Sequence, residues 1–140
     1  MTPCPKKNTK ILIVDDDHDD QFIIKKIFRS ILPATEIAQA YNGIECLNYL
    51  EANLNELPDL ITMDINMPLV NGIEATISLK NDERFKGIPL VVLSTSDRKN
   101  DMETVLQNGA DDYFIKPIVY DELNFTLKSI ADKWLRIDIQ

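Results

Sequence analysis

Three separated groups of charged side chains, each directly after a hydrophobic run, are the residues best suited to chemistry. The groups and the runs before them are Asp15–Asp17 after Ile11–Val14, Asp64 after Leu60–Met63, and Lys116 after Tyr113–Ile115. Short aliphatic runs bounded by turn residues are typical of buried strands. In an open parallel sheet, ligands bind at the carboxyl ends of strands, where strand order reverses. We therefore expect one crevice whose carboxylates require a cation. This favours a hard metal ion and phosphoryl chemistry.

The carboxylates of this crevice have distinct candidate roles. Asp64 is the candidate nucleophile, because a carboxylate can attack phosphorus to give an aspartyl phosphate, although a strand-end Asp can also cap a turn. Asp15 or Asp16 could join Asp64 in binding Mg2+, which takes one or two carboxylates, waters and phosphate oxygens. A backbone carbonyl of the following loop is a plausible third ligand. Either Asp could instead cap a helix.

The remaining polar residues near these runs are assigned more simply. We expect Asp17, Asp19 and Asp20 to favour the N-terminal dipole of the first helix. Lys116 is predicted to place a compact positive charge near the phosphoryl oxygens, because Pro117 constrains its backbone to an extended or cis-linked form. Ser94 could donate to a phosphoryl oxygen or serve as a turn hydroxyl.

The single histidine, His18, is expected to be a solvated residue at the start of a helix. Because the sequence has no second histidine, most kinds of zinc site and of histidine-containing catalytic triad are disfavoured. No glycine-rich nucleotide fingerprint is found either, which weakens nucleotide hydrolysis and dinucleotide redox chemistry as alternatives.

Strand and helix patterns alternate along the chain after a leader, residues 1–8, that we expect to be flexible. Five such units predict a parallel α/β sheet covered on both faces. The predicted strands are Lys10–Val14, Glu36–Ala40, Leu60–Asp64, Leu90–Leu93 and Asp112–Ile115. The predicted helices are Asp19–Leu32, one beginning after Asn42-Gly43, Ile73–Lys80, Asp101–Asn108 (ended by Gly109) and Tyr120–Leu135.

Helical spacing predicts which side chains of three helices face the core. The predicted sets are Phe22, Ile23, Ile27, Phe28 and Ile31 in the first helix, Ile44, Leu47 and Leu50 in the second, and Leu123, Leu127, Ile130 and Trp134 in the last. Cys46 is expected to be a small buried residue.

The bulk composition fits one globular domain of 140 residues with a net charge of -8. This charge argues against direct binding to nucleic acid or to an anionic membrane. No run approaches the ~18 apolar residues of a membrane span. Cys4 and Cys46 have no metal-site spacing, and a reducing cytoplasm is the simplest setting.

The ordered set of motifs closely resembles the receiver domain of two-component response regulators. The matching stretches are Val14–Asp17, Met63–Pro68, Tyr113–Pro117, Gly72 and the turn Asn108–Ala110. The resemblance implies a flavodoxin-like, doubly wound five-stranded parallel sheet of order 2-1-3-4-5 with five helices. It places a receiver domain at residues 9–137 and a tail at 138–140.

The same resemblance implies a role for each matching residue. Asp64 is similar to the phosphoacceptor, and Asp15 and Asp16 to the acidic pair, with Asp16 the direct Mg2+ ligand. Asn66 corresponds to the residue that gives a backbone carbonyl to the metal. Lys116 corresponds to the phosphate-pairing lysine, and Ser94 and Tyr113 correspond to the switch residues.

The implied protein is a stand-alone response regulator, similar to those paired with phytochrome-type kinases. It would accept phosphate from a sensor histidine kinase or phosphotransfer protein and act through a downstream target or its own copy. It would be no enzyme beyond its own phosphotransfer and slow dephosphorylation. The expected readout surface is the fourth helix, fifth strand and fifth helix. Thr95 departs from the family, which has a small residue after the switch hydroxyl, and could hinder attacking water.

Two alternatives remain open from sequence. The spacing of Asp15 and Asp17 resembles the nucleophile motif of haloacid-dehalogenase-type phosphatases, but Asp111-Asp112 precedes Lys116, whereas that family has its paired carboxylates after the lysine. The other alternative is a binding-only receiver that never accepts phosphate. The presence of the acidic pair Asp15 and Asp16, together with Asp64 and Lys116, argues against this alternative.

Overall fold

The computed structural model describes residues 9–135, and the predicted leader (1–8) and tail (138–140) lie outside this range. Strands and helices alternate over the described range. The strands are β1 (Lys10–Val14), β2 (Glu36–Ala40), β3 (Leu60–Met63), β4 (Leu90–Ser94) and β5 (Asp112–Ile115). The helices are α1 (His18–Ile31), α2 (Gly43–Ala52), α3 (Gly72–Lys80), α4 (Lys99–Gln107) and α5 (Tyr120–Trp134). None of these helices is both long and apolar enough to span a lipid bilayer.

The five strands form one parallel sheet of order β2-β1-β3-β4-β5, which confirms the predicted fold. The strand order reverses beside β1, the point where parallel α/β sheets open a crevice. There Val14 pairs with Met63, and the Asp64 N–H donates to the Val14 carbonyl at 2.9 Å. This register sets Asp15 and Asp64, the next residue of each strand, side by side at the carboxyl edge.

Each face of the sheet is covered by helices. Alternate β1 residues point to opposite faces, with Leu12 and Val14 in one core cluster and Ile11 and Ile13 in the other. The first cluster includes residues of α2, α3 and α4, and the second residues of α1 and α5. A central strand buried on both faces gives the site a rigid base.

The helix boundaries follow their caps. Asp17 caps α1 by accepting from the Asp20 N–H, so α1 begins at His18, one residue before the prediction. Asn71 and Glu74 form a capping box, which starts α3 at Gly72. Gly109, at φ +109°, follows the end of α4 as expected of a left-handed terminator. The predicted bounds of β1, β2 and β5 agree with the structure.

The predicted inward faces need two corrections. Phe22 is 66% exposed, because the buried stripe of α1 runs through Gln21, Ile24 and Phe28 rather than through Phe22. Ile44 of α2 is 42% exposed because Cys46 and Leu50, four residues apart, form that helix's buried face.

Candidate functional site

Three carboxylates meet at the edge of the sheet where β1 and β3 end. One oxygen from each of Asp15, Asp16 and Asp64 can be chosen so that all three lie within 4.8 Å of one another. Asp15 and Asp64 are buried, whereas Asp16 is exposed. The structure thus brings together the three acidic residues singled out from sequence, two on rigid strand ends and one at the solvent side.

Burial makes the carboxyl groups of Asp15 and Asp64 weaker acids than usual. Burial raises the pKa of Asp15 to about 6, although the neighbouring Lys116 ammonium lowers it. Burial also raises the pKa of Asp64, opposed by the field of Lys116, a hydrogen bond from Ser94 and the Asn66 N–H. Both carboxylates are therefore costly to ionise without further positive charge, and a bound cation would relieve that cost.

Hydrogen bonds fix these carboxylates differently. Asp15 accepts from the Asp17 N–H through Oδ1 at 2.9 Å and from Lys116 Nζ through Oδ2 at 2.6 Å. Asp64 Oδ1 accepts a longer bond, 3.4 Å, from the Asn66 N–H. Asp15 is therefore locked in place, and Asp64 is the less constrained of the two buried groups.

Lys116 lies in the same crevice but is held on the α1 side. Its Nζ donates to Asp15 at 2.6 Å and to Asp20 at 2.8 Å. The charge of Lys116 also acts to lower the pKa of Asp64. Burial acts to lower the pKa of Lys116, but the surrounding carboxylates raise it above the ordinary value. The peptide before Pro117 is trans. Lys116 is therefore a fixed ammonium at neutral pH.

Asp20 lies in the first turn of α1, where its charge favours the helix dipole as predicted. Its carboxylate also accepts a hydrogen bond from Lys116, a contact that the sequence analysis did not predict. The signal was weak, because an acidic residue in a first helical turn has an ordinary explanation. The pairing of Asp20 with Lys116 becomes visible only in the folded structure, where α1 lies beside the segment that follows β5.

Ser94 and Tyr113 are linked through the loop between β4 and α4. Ser94 is fully buried, and its Oγ accepts from the Ser96 N–H at 3.3 Å. The Tyr113 hydroxyl donates to the Ser96 carbonyl at 2.7 Å, and the Ser96 hydroxyl donates to Asp101 of α4 at 2.9 Å. One loop residue therefore connects the hydroxyl beside Asp64 with β5 and α4.

A buried glutamine that the sequence analysis did not single out stabilises the backbone beneath the site. Gln21 is 1% exposed, and its Nε2 lies 2.8–3.0 Å from the carbonyls of Ile13, Asp15 and Ala40. It thereby ties α1 to the carboxyl ends of β1 and β2. A polar residue in register with the apolar stripe of a helix was the available signal.

The single histidine stays outside the acidic cluster. His18 is exposed, and its ring stacks on Tyr41 with centroids 4.4 Å apart. This agrees with its expected place at the start of the first helix.

Gly72 lets α3 approach the backbone of the site. A Cβ atom built on Gly72 would lie 2.1 Å from the Asp64 carbonyl oxygen and 2.7 Å from Ile65 Cα. Both neighbours are backbone atoms, so they cannot rotate away.

Gly72→Ala is therefore expected to destabilise the protein by about 2 kcal/mol, since overpacking costs roughly 1–3 kcal/mol. The measurement is urea unfolding. The matched control is Gly87→Ala, where a Cβ meets no heavy atom within 4 Å; its expected change is within ~0.5 kcal/mol. Equal stabilities of the two variants would contradict the close-approach argument.

Comparison with known proteins places the fold and sequence in one family. The model of the response regulator receiver domain matches residues 11–128. Over 128 residues the chain is 31% identical to the probable methanogenesis regulatory protein FilR2 of Methanothrix harundinacea, covering 89% of this chain and 83% of FilR2. It is 34% identical over 121 residues to the polar-differentiation response regulator DivK of Brucella anthropi, covering 85% and 93% of the two chains.

Solved structures agree. The phosphorylated cyanobacterial phytochrome response regulator RcpA superposes with a TM-score of 0.86 at 31% identity, over 91% of this chain and 94% of RcpA. The match in topology, in motif order and over most of each chain leaves one conclusion: the chain belongs to the response regulator receiver domain family of two-component signalling proteins.

Proposed function

We propose that the protein is a phosphorylation switch that accepts a phosphoryl group on Asp64 from the phosphohistidine of a sensor kinase or phosphotransfer protein. The observation that carries this proposal is the meeting of Asp15, Asp16 and Asp64 within 4.8 Å, beside a buried ammonium. RcpA, a relative of the same fold, is described as phosphorylated. A cytoplasmic setting follows from a kinase partner of this kind.

The donor set fits Mg2+, since hard divalent cations prefer carboxylate and carbonyl oxygens. Asp15, Asp16 and Asp64 would hold the ion, with the Asn66 backbone carbonyl as a further ligand. When bound, Mg2+ supplies positive charge that offsets the charge of the carboxylates and of the incoming phosphoryl group.

Asp64 performs the covalent step. One carboxylate oxygen forms a bond to phosphorus while the phosphorus–nitrogen bond of the donor breaks, and the imidazole leaves with the electron pair. Lys116 lies in the same crevice and provides an ammonium for a phosphoryl oxygen. Ser94, whose hydroxyl lowers the pKa of Asp64, provides a hydroxyl for another.

The Ser96 network provides a route from this chemistry to the surface. If Ser94 turns toward a phosphoryl oxygen, its bond from Ser96 is lost, and the contacts of Ser96 with Tyr113 and α4 change with it. Shifting the ratio of active to resting conformation from 1:99 to 99:1 requires about 5.5 kcal/mol of differential stabilisation. Two or three charge-assisted hydrogen bonds at ~1.5–3 kcal/mol each are of that order.

We propose the α4-β5-α5 face as the readout surface. β5 is an edge strand of the sheet, and Leu106 of α4 and Ile115 of β5 are 42% and 51% exposed. The partner is a downstream protein or a second copy of this chain. The charge of -8 argues against nucleic acid and anionic membranes as partners.

The phosphatase alternative requires Asp15 as the nucleophile. In the structure both Asp15 oxygens are engaged, one by the Asp17 N–H and the other by Lys116. Within residues 9–135, Asp64 forms no ion pair comparable to that between Asp15 and Lys116, which favours Asp64 as the attacking group.

The proposed function is tested by incubating the purified protein with acetyl phosphate, with Mg2+ or with EDTA. We expect one alkali-labile phosphoryl group per chain with Mg2+ and none with EDTA, measured by intact-protein mass spectrometry. Absence of phosphorylation at saturating Mg2+ would favour the binding-only alternative and overturn the proposal.

Mg2+ affinity is expected to fall below about pH 6, because a proton on Asp15 competes with the cation. If Mg2+ displaces one proton, its affinity decreases roughly tenfold for each pH unit below that pKa.

The stability of the metal-free fold depends on pH in the opposite direction. Since the folded pKa of Asp15 lies above the ordinary value of 3.8, its contribution to metal-free stability declines as pH rises from about 4 to about 6.

Calorimetric titration with MgCl2 at a series of pH values between 5 and 8 tests this. An affinity that stays constant across pH 6 would contradict the assignment of Asp15 to the metal pocket.

Thr95 is exposed and lines a cavity of about 260 Å3 together with Asp20 and Lys116. We expect Thr95→Ala to shorten the lifetime of the phosphorylated state by roughly threefold, because a smaller side chain admits water more readily; threefold is less than ~1 kcal/mol of barrier. The measurement is phosphate release after removal of the donor. A lifetime equal to or longer than that of the wild type would refute this role.

A further inference from the structure

The ammonium of Lys116 has two partners of different character. Asp15 is buried, with a 3% exposed side chain, and is also held by the Asp17 N–H. Asp20 has a 34% exposed side chain and sits in the first turn of α1. The Asp15 pair belongs to the acidic cluster, whereas Asp20 is outside the group of carboxylates that could share a metal ion.

The hydrogen bond that the Asp20 carboxylate accepts comes from outside the helix in which it lies. The capping bond of α1 runs from the Asp20 N–H to Asp17, so Asp20 is the donor there. Its own Oδ2 accepts from Lys116 across 96 residues of sequence. Asp20 therefore joins α1 to the segment after β5 at the position of the phosphate-pairing candidate.

The surroundings allow this bond to be exchanged. Asp20, Thr95 and Lys116 line the same cavity of about 260 Å3, together with the segment at Pro117 and Ile118. Because the Asp20 side chain is 34% exposed, solvent partly screens its pair with Lys116, whereas the Lys116–Asp15 pair, with both side chains buried, is costly to break. Of the two bonds made by Lys116, that to Asp20 is the cheaper to give up.

We propose that Asp20 is a positioning residue that holds Lys116 on the α1 side of the crevice at rest and competes with the phosphoryl group of Asp64 for that ammonium. The inference rests on the proposed function of Asp64. When phosphate is present, Lys116 keeps Asp15 and exchanges Asp20 for a phosphoryl oxygen. Asp20 thereby sets how readily the phosphorylated state forms and how long it persists.

The test uses Asp20→Asn, which preserves size but removes the charge that competes for Lys116. The probe is beryllofluoride, a phosphoryl mimic, titrated calorimetrically at saturating Mg2+. We expect the affinity for beryllofluoride to increase roughly two- to fivefold, the order of effect of an ion pair that solvent screens. Mg2+ affinity without beryllofluoride should remain within twofold of wild type, because Asp20 is not in the metal cluster.

Two comparisons separate positioning from general electrostatics. Asp19→Asn removes the same charge from the same turn at an exposed residue, and we expect beryllofluoride affinity to change by less than half as much. In a Lys116→Met background, Asp20→Asn should lose its effect, since the cycle isolates the interaction between the two residues. If Asp20→Asn does not fold, Asp20→Ser carries the same expectation.

The outcomes distinguish this inference from the function on which it rests. A wild-type protein that does not bind beryllofluoride with Mg2+ overturns the proposed function. Wild-type binding with equal effects of Asp20→Asn and Asp19→Asn, or with an Asp20→Asn effect that persists without Lys116, overturns the role of Asp20 alone.

Discussion

Asp64→Asn is expected to reduce Mg2+-dependent phosphorylation by acetyl phosphate to background, the largest effect of any single substitution in this protein. The amide nitrogen is a poor nucleophile and cannot form an acyl phosphate, so the covalent step has no acceptor. The variant should remain folded, because burial already disfavours the charged form of Asp64, and an amide of the same shape avoids that cost. Intact-protein mass spectrometry measures phosphorylation, and thermal unfolding verifies the fold.

The matched control for this prediction is Asp97→Asn, which removes one charge from the exposed loop after β4. It should be phosphorylated to the wild-type level. Undiminished labelling of Asp64→Asn would show that another residue accepts the phosphate.

Asp16→Asn is expected to have the second-largest effect, a loss of Mg2+ affinity of ~100-fold or more. Loss of an outer partner of a metal ligand already costs roughly 10–100-fold, and Asp16 is the proposed direct ligand. Asp16 is the one exposed member of the cluster, open to a hydrated ion, whereas Asp15 is engaged by Lys116. Calorimetric titration with MgCl2 is the measurement.

Asp17→Asn is the control for Asp16. It changes the same charge at the next residue, and Asn caps helices as well as Asp does, so α1 retains its N-terminal cap. Its Mg2+ affinity should remain within severalfold of wild type. If Asp16→Asn and Asp17→Asn weaken Mg2+ equally, the effect is one of overall charge, and Asp16 is not a ligand.

The fold could be predicted from sequence because its signals are local and repeated. Aliphatic runs such as Ile11–Val14 are buried on both faces of the sheet, and such runs are distinctive of central parallel strands. Gly109 ends α4 because glycine readily adopts the positive φ angle required there. The order 2-1-3-4-5 came from the family resemblance, since periodicity alone does not order strands.

Side-chain orientation was harder to predict because it depends on the partners that a helix meets. Helical spacing predicts an inward Phe22, yet the position in register with the core belongs to Gln21, whose amide binds the carbonyls at the strand ends. A polar residue wins the buried place where it satisfies backbone groups that an apolar side chain would leave unpaired.

The candidate site shows the same limit. Strand-end position sufficed to predict that Asp15, Asp16 and Asp64 meet. The pairing of Lys116 with Asp20 was missed, because it joins residues 96 apart and the acidic first turn of α1 already had an ordinary explanation. Contacts between distant elements become visible only when those elements are packed together.

Locating the phosphoryl adduct shows directly which residue accepts the phosphate. The protein is phosphorylated with acetyl phosphate and Mg2+, reduced with borohydride, which converts an acyl phosphate to an alcohol, and sequenced by tandem mass spectrometry. We expect a single reduced residue, homoserine in place of Asp64, that is absent when EDTA replaces Mg2+. An adduct at Asp15 or His18, or one that forms equally without the metal, would contradict this expectation.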